Sequence, residues 1–433
     1  MKQSNLLHSA RSLKLALILL SSLSTIGIAQ AKTLAIMNAT LHTVTEQGVL
    51  SEAAVLIENG IITAVYAKTD IPVDLTADEI IDAKGRNLTP GFIASNNLLG
   101  LIEVGAVSRT RDASDKKADI TFDASFAFNP KSSLIPYARK GGITSNVVMP
   151  YGGEDVFLGQ SFVVDLSADF SSVVTGKNAI IANFGALSEG SRAMNLQKLS
   201  HALEEATNTL AENKKATAKA EDADKETEKS PKPAQKLINA LLNGEKTLLA
   251  HVERASDILV LLALKDKYKL DLVLVGASDA VLVADDITKA NVAVMTSALD
   301  NLPNSFDSLH NSLTNLAKLQ AAGVKVIISN SGESHNINLL RFDVGIAITN
   351  GLSKADALAA VTANVADIFK LNTGRISVGK NADLVLWSAD PFEISTKVDH
   401  LWINGKAITT HSRQDALRKR YTTKSTMPRA YTK

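Results

Sequence analysis

Short apolar segments rich in β-branched residues occupy both ends of the chain. The first group lies at 34–36, 54–57 and 61–65. Asn59 and Gly60 separate its last two members, and an Asn-Gly pair in that position is typical of a β-hairpin. A second β-rich block covers 374–387 and is followed by a hairpin-like segment at 402–406. The pattern predicts a β-rich unit at each end of the chain.

Between these ends, apolar strand candidates alternate with helical stretches. The candidate strands are 143–149, 179–184, 247–252, 272–275, 292–295 and 324–329. Apolar residues recur at steps of three and four over 256–268 and 354–369, which predicts helices there. Repeated βα units indicate an α/β protein with an eight-stranded barrel. A doubly wound open sheet is the alternative, although the sequence has no Gly-rich turn for a phosphate group.

Composition limits the classes of function. The 433 residues exceed what one compact core usually holds, so two domains, or a large barrel with an accessory domain, are expected. Hydrophobic residues make up 45% and charged residues 21%, as in ordinary globular proteins. The net charge of +1 offers no attraction for nucleic acid. The absence of cysteine excludes disulfides and thiolate metal sites.

Residues 1–31 have the order of a secretory signal. Three basic residues precede an apolar run at 15–28, and small residues follow at 29–31. Cleavage is expected before Lys32, which predicts an exported, periplasmic protein without a membrane anchor. An uncleaved anchor is the alternative, but the apolar run is shorter than the roughly 20 residues of a spanning helix.

Two polar segments interrupt the globular pattern. Residues 211–232 are packed with Lys, Glu, Ala and Asp, so they predict an exposed helix or a disordered insertion. Residues 413–433 form a basic tail, for which a solvated end is expected. Weak attraction of this tail to an anionic membrane surface is the alternative.

The segment 88–98 reads Leu-Thr-Pro-Gly-Phe-Ile-Ala-Ser-Asn-Asn-Leu and resembles the point at which amidohydrolases enter their barrel. Further blocks are similar to the imidazolonepropionase-like branch of that superfamily in order and spacing. They are 141–144, His251 with 255–258, 300–303, 350–352 with 357–358, and 379–384. The likeness covers almost all of the mature chain. It implies a (β/α)8 TIM-like barrel over 89–373 and a small β-sandwich formed from 32–88 and 374–412.

The resemblance also implies a metal-dependent hydrolase of carbon–nitrogen bonds other than peptide bonds. The family holds its metal with a His pair on strand one, a carboxylated Lys on strand four, a His on each of strands five and six, and an Asp on strand eight. The bound ion activates a water, and the Asp moves its proton.

This chain departs from that ligand set at most positions. Strand four, at 179–183, offers no Lys, whereas His251 remains on strand five. The other replacements are Asn96 and Leu98 for the His pair, Val275 for the His of strand six, and Asn330 or Ser329 for the Asp. Leucine cannot bind an ion, and an amide oxygen is a poor zinc ligand. One imidazole falls short of the usual three protein ligands, so the motif is interpreted as degenerate and no cofactor is expected.

An atypical open site stays as an alternative. His251, His335 and Glu333 together would supply two imidazoles and a carboxylate for a single zinc ion. The simpler interpretation makes His335 an exposed loop residue and His251 a hydrogen-bonded barrel residue. The candidate catalytic residues are His251, Asn330 and Glu333. The candidate ligand-pocket residues are Asn96, Leu98, Glu103, Arg109, Arg111, Val275 and His335.

A pocket with Asn96, His251 and Asn330 on its floor, edged by Arg109 or Arg111, would suit an anionic or amide-bearing ligand. Surface ion pairing is the alternative for the two arginines. Three classes of function stay open: a hydrolase with an atypical site, a catalytically silent relative that binds a small molecule, and a partner of an active paralogue. The resemblance favours the first class as the family label, whereas the missing metal ligands make turnover doubtful and favour the second class on that point. The sequence leaves open whether the chain forms homo-oligomers.

Overall fold

The computed structural model describes residues 32–185, 190–219, 231–330 and 334–423. The predicted secretory signal, Glu333, part of the polar insertion and the end of the basic tail lie outside these residues. Within the described part of the chain, no helix has both the length and the apolar character needed to cross a membrane.

The strands follow the predicted alternation with helices. They are β1 (Thr33–His42), β2 (Val49–Glu58), β3 (Ile61–Tyr66), β4 (Glu79–Asp82), β5 (Asn87–Pro90), β6 (Phe92–Asn97), β7 (Ile143–Val148), β8 (Phe157–Gln160), β9 (Phe162–Asp165), β10 (Val173–Val174), β11 (Ile180–Asn183), β12 (Thr247–Val252), β13 (Asp271–Gly276), β14 (Ala293–Thr296), β15 (Val326–Ile328), β16 (Leu384–Trp387), β17 (Val398–Ile403) and β18 (Lys406–Ala407). All six strand candidates of the central region are confirmed.

The α-helices lie mainly between the strands of the central region. They are α1 (Ile135–Arg139), α2 (Arg192–Lys219), α3 (Pro233–Leu242), α4 (Ala255–Tyr268), α5 (Ala284–Lys289), α6 (Asn315–Ala321), α7 (Leu340–Thr349), α8 (Lys354–Ala360), α9 (Ala363–Ile368) and α10 (Arg413–Thr422). The helix predicted at 256–268 is confirmed as α4.

Both chain ends contribute to one sheet of eight strands. Its order is β18-β17-β16-β5-β1-β2-β3, and β4 pairs with β1. The hairpins at Asn59-Gly60 and Asn404-Gly405 have φ values of 51°, 84°, 49° and 71°. Positive φ at both central residues is the turn geometry that matches the twist of a hairpin. The packing of this sheet into a sandwich stays a prediction.

The central region contains two further sheets. One has the order β10-β9-β7-β6 and the other β15-β14-β13-β12-β11-β8. Strands β11 to β15 run parallel, as do β6 and β7. Strands β8 and β9, which the sequence pattern did not predict, are separated by Ser161 alone and pair antiparallel with β11 and β7. This bent segment therefore connects the two sheets.

Inward-facing side chains from both sheets share one apolar cluster. Side chains two apart on a strand face the same way, so each strand contributes alternate residues. Members of the cluster are Ile93, Val147, Ile181, Leu249, Val273, Val275, Met295 and Ile327. The two sheets thus enclose a common interior. On several strands, the next inward-facing residue after the cluster lies at the carboxyl end of the strand.

The prediction of a single helix over 354–369 is wrong, because this segment forms two helices, α8 and α9. Thr362 lies between them with φ −135° and ψ −90°. The break frees the carbonyl oxygen of Val361 to accept a hydrogen bond of 2.8 Å from the backbone N–H of Ile93. A tertiary hydrogen bond to the first central strand therefore replaces a helical one, and periodicity alone does not reveal it.

The two polar segments have helical parts. Helix α2 extends into the Lys/Glu-rich insertion as far as Lys219. Helix α10 forms most of the described basic tail and begins with a capping box between Ser412 and Asp415. Asp415 also accepts a hydrogen bond of 2.6 Å from Lys140, which lowers the pKa of the carboxyl group. The ion pair connects the start of the tail to the residue after α1.

Candidate functional site

A cavity of about 430 Å³ opens at the carboxyl ends of the parallel central strands. This is the face at which barrel enzymes place their active sites. Its lining residues are Asn96, Asn183, Gly185, His251, Glu253, Gly276, Ser278, Thr296, Ser297, Asp300, Asn304, Ser305, Asp307, Ser308, Asn311 and Ser329. Nearly all of these side chains are polar, in contrast to the apolar interior below them.

Strand periodicity explains why His251 lies in this cavity. Leu249 faces the apolar interior, so His251, two residues further along β12, is the next inward side chain. Asn183 is its neighbour on β11. Within the described residues, the imidazole makes no hydrogen bond, and burial lowers the pKa of His251 to about 4. The ring is therefore neutral at physiological pH and can donate one hydrogen bond and accept another.

Asn96 lines the cavity, but Leu98 does not. The pairing of β6 with β7 shifts its register between Ser95 and Asn97, and Asn96 has a left-handed φ of 57°. This bulge interrupts the alternation that would place residues 96 and 98 on the same face. Leu98 is buried in the large hydrophobic core instead. The prediction of Leu98 as a pocket residue is therefore wrong.

Glu253 is the acidic group nearest to His251 in sequence, and the sequence pattern did not predict a role for it. Its Oε2 atom accepts hydrogen bonds from the backbone N–H of Ser278, at 3.1 Å, and from the Ser278 hydroxyl. Burial raises the pKa of Glu253, the Ser278 hydrogen bonds oppose this shift, and the charges of Asp307 and Asp279 add to it. The signal in the sequence was its position two residues after His251, one residue beyond the end of β12.

Val275 and Asn330 occupy buried positions outside the lining of this cavity. Val275 is 1% exposed and belongs to the apolar interior, beside His251 in the register of β12 and β13. Asn330 is 5% exposed, and its Oδ1 atom has no hydrogen-bond partner. Ser329, one residue earlier, lines the cavity. Asn330 and Ser329 were the two residues predicted to replace the family's Asp. Of these two, Ser329 therefore faces the candidate site.

The remaining predicted site residues lie elsewhere. Glu103 and His335 line a separate cavity of about 480 Å³ near Leu134. Glu103 accepts a hydrogen bond of 3.1 Å from the amide of Asn129. Arg109 and Arg111 are exposed, and neither lines either cavity. The structure thus brings Asn96 and His251 together and places His335 in a different cavity from His251.

The loop after β14 covers one side of the main cavity and is held by charged contacts. Asp307 pairs with Arg192 at 3.2 Å and with Arg254. The Nδ1 atom of His310 lies 2.7 Å from Asp279 Oδ1. The polar side chains of the loop line the cavity, whereas Leu299, Leu302, Phe306 and Leu309 are exposed to solvent.

Parallel strands, intervening helices and a polar cavity at the strand ends define an α/β protein with a candidate ligand site at the carboxyl ends of its strands. The model of the amidohydrolase family matches residues 181–408, more than half of the sequence. The chain belongs to the amidohydrolase family.

Individual relatives are distant in sequence. The chain is 22% identical over 393 residues to the amidohydrolase tasK of Hapsidospora irregularis, covering 82% of this chain and 39% of that protein. It therefore spans well under half the length of this curated relative.

Solved structures match most of the chain. An amidohydrolase from Thermotoga maritima MSB8 has a TM-score of 0.77 at 23% identity, covering 88% of this chain and 100% of that one. A zinc-bound adenosine deaminase from Xanthomonas campestris has a TM-score of 0.52 at 18% identity, covering 90% and 99%. These similarities show a TIM-barrel-like α/β fold.

The described residues do not fit the metal that the family implies. His251 is the one imidazole among the residues that line the cavity. Within the described ranges, no group of three or more His, Asp or Glu side chains could hold an ion together. One carboxylate oxygen of Glu253 is already bonded to Ser278. A zinc ion with three protein ligands has no matching donor set here.

Gly276 is expected to tolerate alanine poorly, because it lies against Glu253. Its φ is 81°, and a Cβ atom there would lie 2.5 Å from Glu253 Oε1. Gly276→Ala should cost about 1–2 kcal/mol of stability from backbone strain, and it should displace the carboxylate. Chemical unfolding measures the cost. Gly85→Ala is the matched control, with φ 75° and no atom within 4 Å of the added Cβ. Equal costs in the two variants would show that Glu253 does not press on residue 276.

Proposed function

We propose that this member of the amidohydrolase family binds a small polar molecule in the cavity around His251, without the metal-dependent hydrolysis of its relatives. The observation that carries the proposal is the donor set: one neutral imidazole among amide, hydroxyl and carboxylate groups. A catalytic zinc site needs three protein ligands and an open position. The cavity has the size and the polar groups of a ligand site.

The same proposal extends to the branch of the family, the export and the domain division that the sequence predicts. The chain is an imidazolonepropionase-like amidohydrolase with a degenerate metal motif, exported to the periplasm after removal of residues 1–31. Residues 89–373 form its barrel, and residues 32–88 and 374–412 form its small sandwich. Pairing with a second copy or with an active paralogue is compatible with this function.

A hydrolase that uses no metal is the second candidate. It is favoured by one observation: His251 is neutral and can accept a proton, while burial raises the pKa of Glu253 in the same cavity and so favours its protonated form. General acid–base catalysis supplies only about 100- to 10,000-fold acceleration, far less than hydrolysis of an amide requires. Slow turnover of an activated substrate is therefore the most that this pair would give.

Metal content tests the proposed function directly. We expect the purified mature chain to hold substoichiometric zinc by mass spectrometry, unchanged in His251→Ala, and to leave N-acyl amino acids and dipeptides intact. His335→Ala is the control, because its side chain lines the other cavity. About one equivalent of zinc that His251→Ala removes would contradict the proposal. Hydrolysis by metal-free protein would favour the second candidate.

A further inference from the structure

Negative charge dominates the lining of the main cavity. Its charged side chains are Glu253, Asp300 and Asp307, and the described lining contains no Lys or Arg. Asp307 is neutralised by Arg192 and Arg254, whose side chains line a neighbouring cavity. Glu253 and Asp300 have no cationic partner within the described residues. The cavity therefore presents uncompensated negative charge to any ligand.

Glu253 has one oxygen atom in use and one available. Oε2 accepts both hydrogen bonds from Ser278, which fixes the direction of the carboxyl group. Oε1 makes no hydrogen bond to the described residues and lies over Gly276, where a missing side chain leaves room. A partly buried carboxylate with an unsatisfied oxygen is destabilised, and burial raises the pKa of Glu253 accordingly. A cation in the cavity would remove that penalty.

A second observation, independent of the acidic groups, also indicates a ligand. Ser329 lines the cavity and is 1% exposed, and its hydroxyl makes no hydrogen bond to the described residues. A hydroxyl group at the wall of a cavity that has no protein partner is available to a ligand or a water. The ring of His251 is equally free of partners within the described part of the chain. Both groups donate and accept, which suits a hydroxyl or an amide group.

We propose that the cavity selects ligands with an ammonium or guanidinium group, which Glu253 Oε1 binds, while Ser329 and His251 contact a neighbouring amide or hydroxyl group. This inference rests on the proposed function, that the cavity around His251 binds a small molecule. It replaces the anionic ligand that the sequence indicated, because Arg109 and Arg111 lie outside the cavity. The sequence also indicated an amide-bearing ligand, and the present proposal keeps that feature.

Three alanine derivatives of different charge test this selectivity at pH 7. L-alaninamide carries an ammonium group, N-acetyl-L-alaninamide is neutral, and N-acetyl-L-alanine is an anion. Isothermal titration calorimetry on the full-length mature protein measures each affinity. L-alaninamide is expected to bind at least about tenfold more tightly than the neutral compound, since a charge-assisted hydrogen bond adds about that factor. The anion should bind most weakly, and added salt should reduce the preference.

Two variants assign the selectivity to Glu253. Glu253→Gln keeps an acceptor for Ser278 but removes the charge, so the preference for L-alaninamide should disappear while weak binding remains. Glu103→Gln, in the separate cavity, is the matched control and should keep the preference. A preference that survives in Glu253→Gln overturns the assignment.

The remaining outcomes separate the two proposals. Tighter binding of N-acetyl-L-alanine, lost in His251→Ala, overturns the cation selectivity and supports the proposed binding function. If none of the three compounds binds, the proposed cation selectivity is also overturned. The proposed function is then tested by the zinc content alone. Gly276→Ala keeps the charge of Glu253 and displaces the carboxylate, so weakened but still cation-selective binding supports the assigned geometry.

Discussion

Replacement of Trp387 by alanine is expected to lower the free energy of unfolding by about 3–5 kcal/mol. The side chain is fully buried at the end of β16. Its ring lies 5.3 Å from that of Phe92, and its Nε1 atom donates a hydrogen bond of 2.9 Å to the hydroxyl of Thr89. A side chain at Gly142 would overlap the indole ring. Trp387 thus connects the sheet of the chain ends to the first central strand.

Urea unfolding followed by circular dichroism measures the loss, because the change removes one of the two tryptophans that fluorescence would report. Trp387→Phe keeps most of the ring but loses the hydrogen bond to Thr89, so an intermediate cost is expected. Phe126→Ala is the control at a position that is 93% exposed, with an expected change within about 0.5 kcal/mol. A loss below about 1 kcal/mol for Trp387→Ala would show that the indole is not part of a tightly packed core.

Replacement of Asp343 by asparagine is expected to stabilise the protein above pH 7. The carboxyl group lies buried on α7 and makes no hydrogen bond to the described residues. Burial raises the pKa of Asp343 from 3.8 to about 7, and the nearby charge of Asp300 adds to the shift. Ionisation therefore costs more in the folded state than in the unfolded state.

The sign of the pH dependence follows from this shift. Between pH 3.8 and about 7 the folded protein holds a proton that the unfolded chain has released, so stability falls as pH rises. Above pH 7 the penalty is fully present. Asp343→Asn should remove it, adding on the order of 2–4 kcal/mol at pH 8 and little at pH 4.

Urea unfolding of both proteins at pH 4 and pH 8 measures this difference. Asp367→Asn is a control of opposite sign, because hydrogen bonds from Arg375 lower the pKa of Asp367. That change should destabilise the protein at pH 8. A gain from Asp343→Asn that is equal at both pH values would rule out burial of the carboxylate as its cause.

The sequence located part of the candidate site. Alternation of side chains on β12 leads directly to His251. The replacement for the family's Asp, after β15, was predicted as Asn330 or Ser329, and Ser329 faces the cavity. The same alternation placed Asn96 correctly but failed at Leu98. A bulge in β6 at Asn96 changes the direction of the following side chains, and Leu98 lies in the hydrophobic core. Glu253 was missed because it lies one residue beyond the end of β12, outside the strand over which the alternation was followed.

By itself, the sequence determined the features that depend on near neighbours: the two Asn-Gly hairpins, the parallel strands and the helix α4. Tertiary structure decided the charge of the cavity, the separation of His335 from His251 and the break after α8. Local features follow from steric and hydrogen-bonding preferences within a few residues. The cavity is formed by strand ends and loops that are distant in sequence, so its chemistry depends on register and packing across the whole chain.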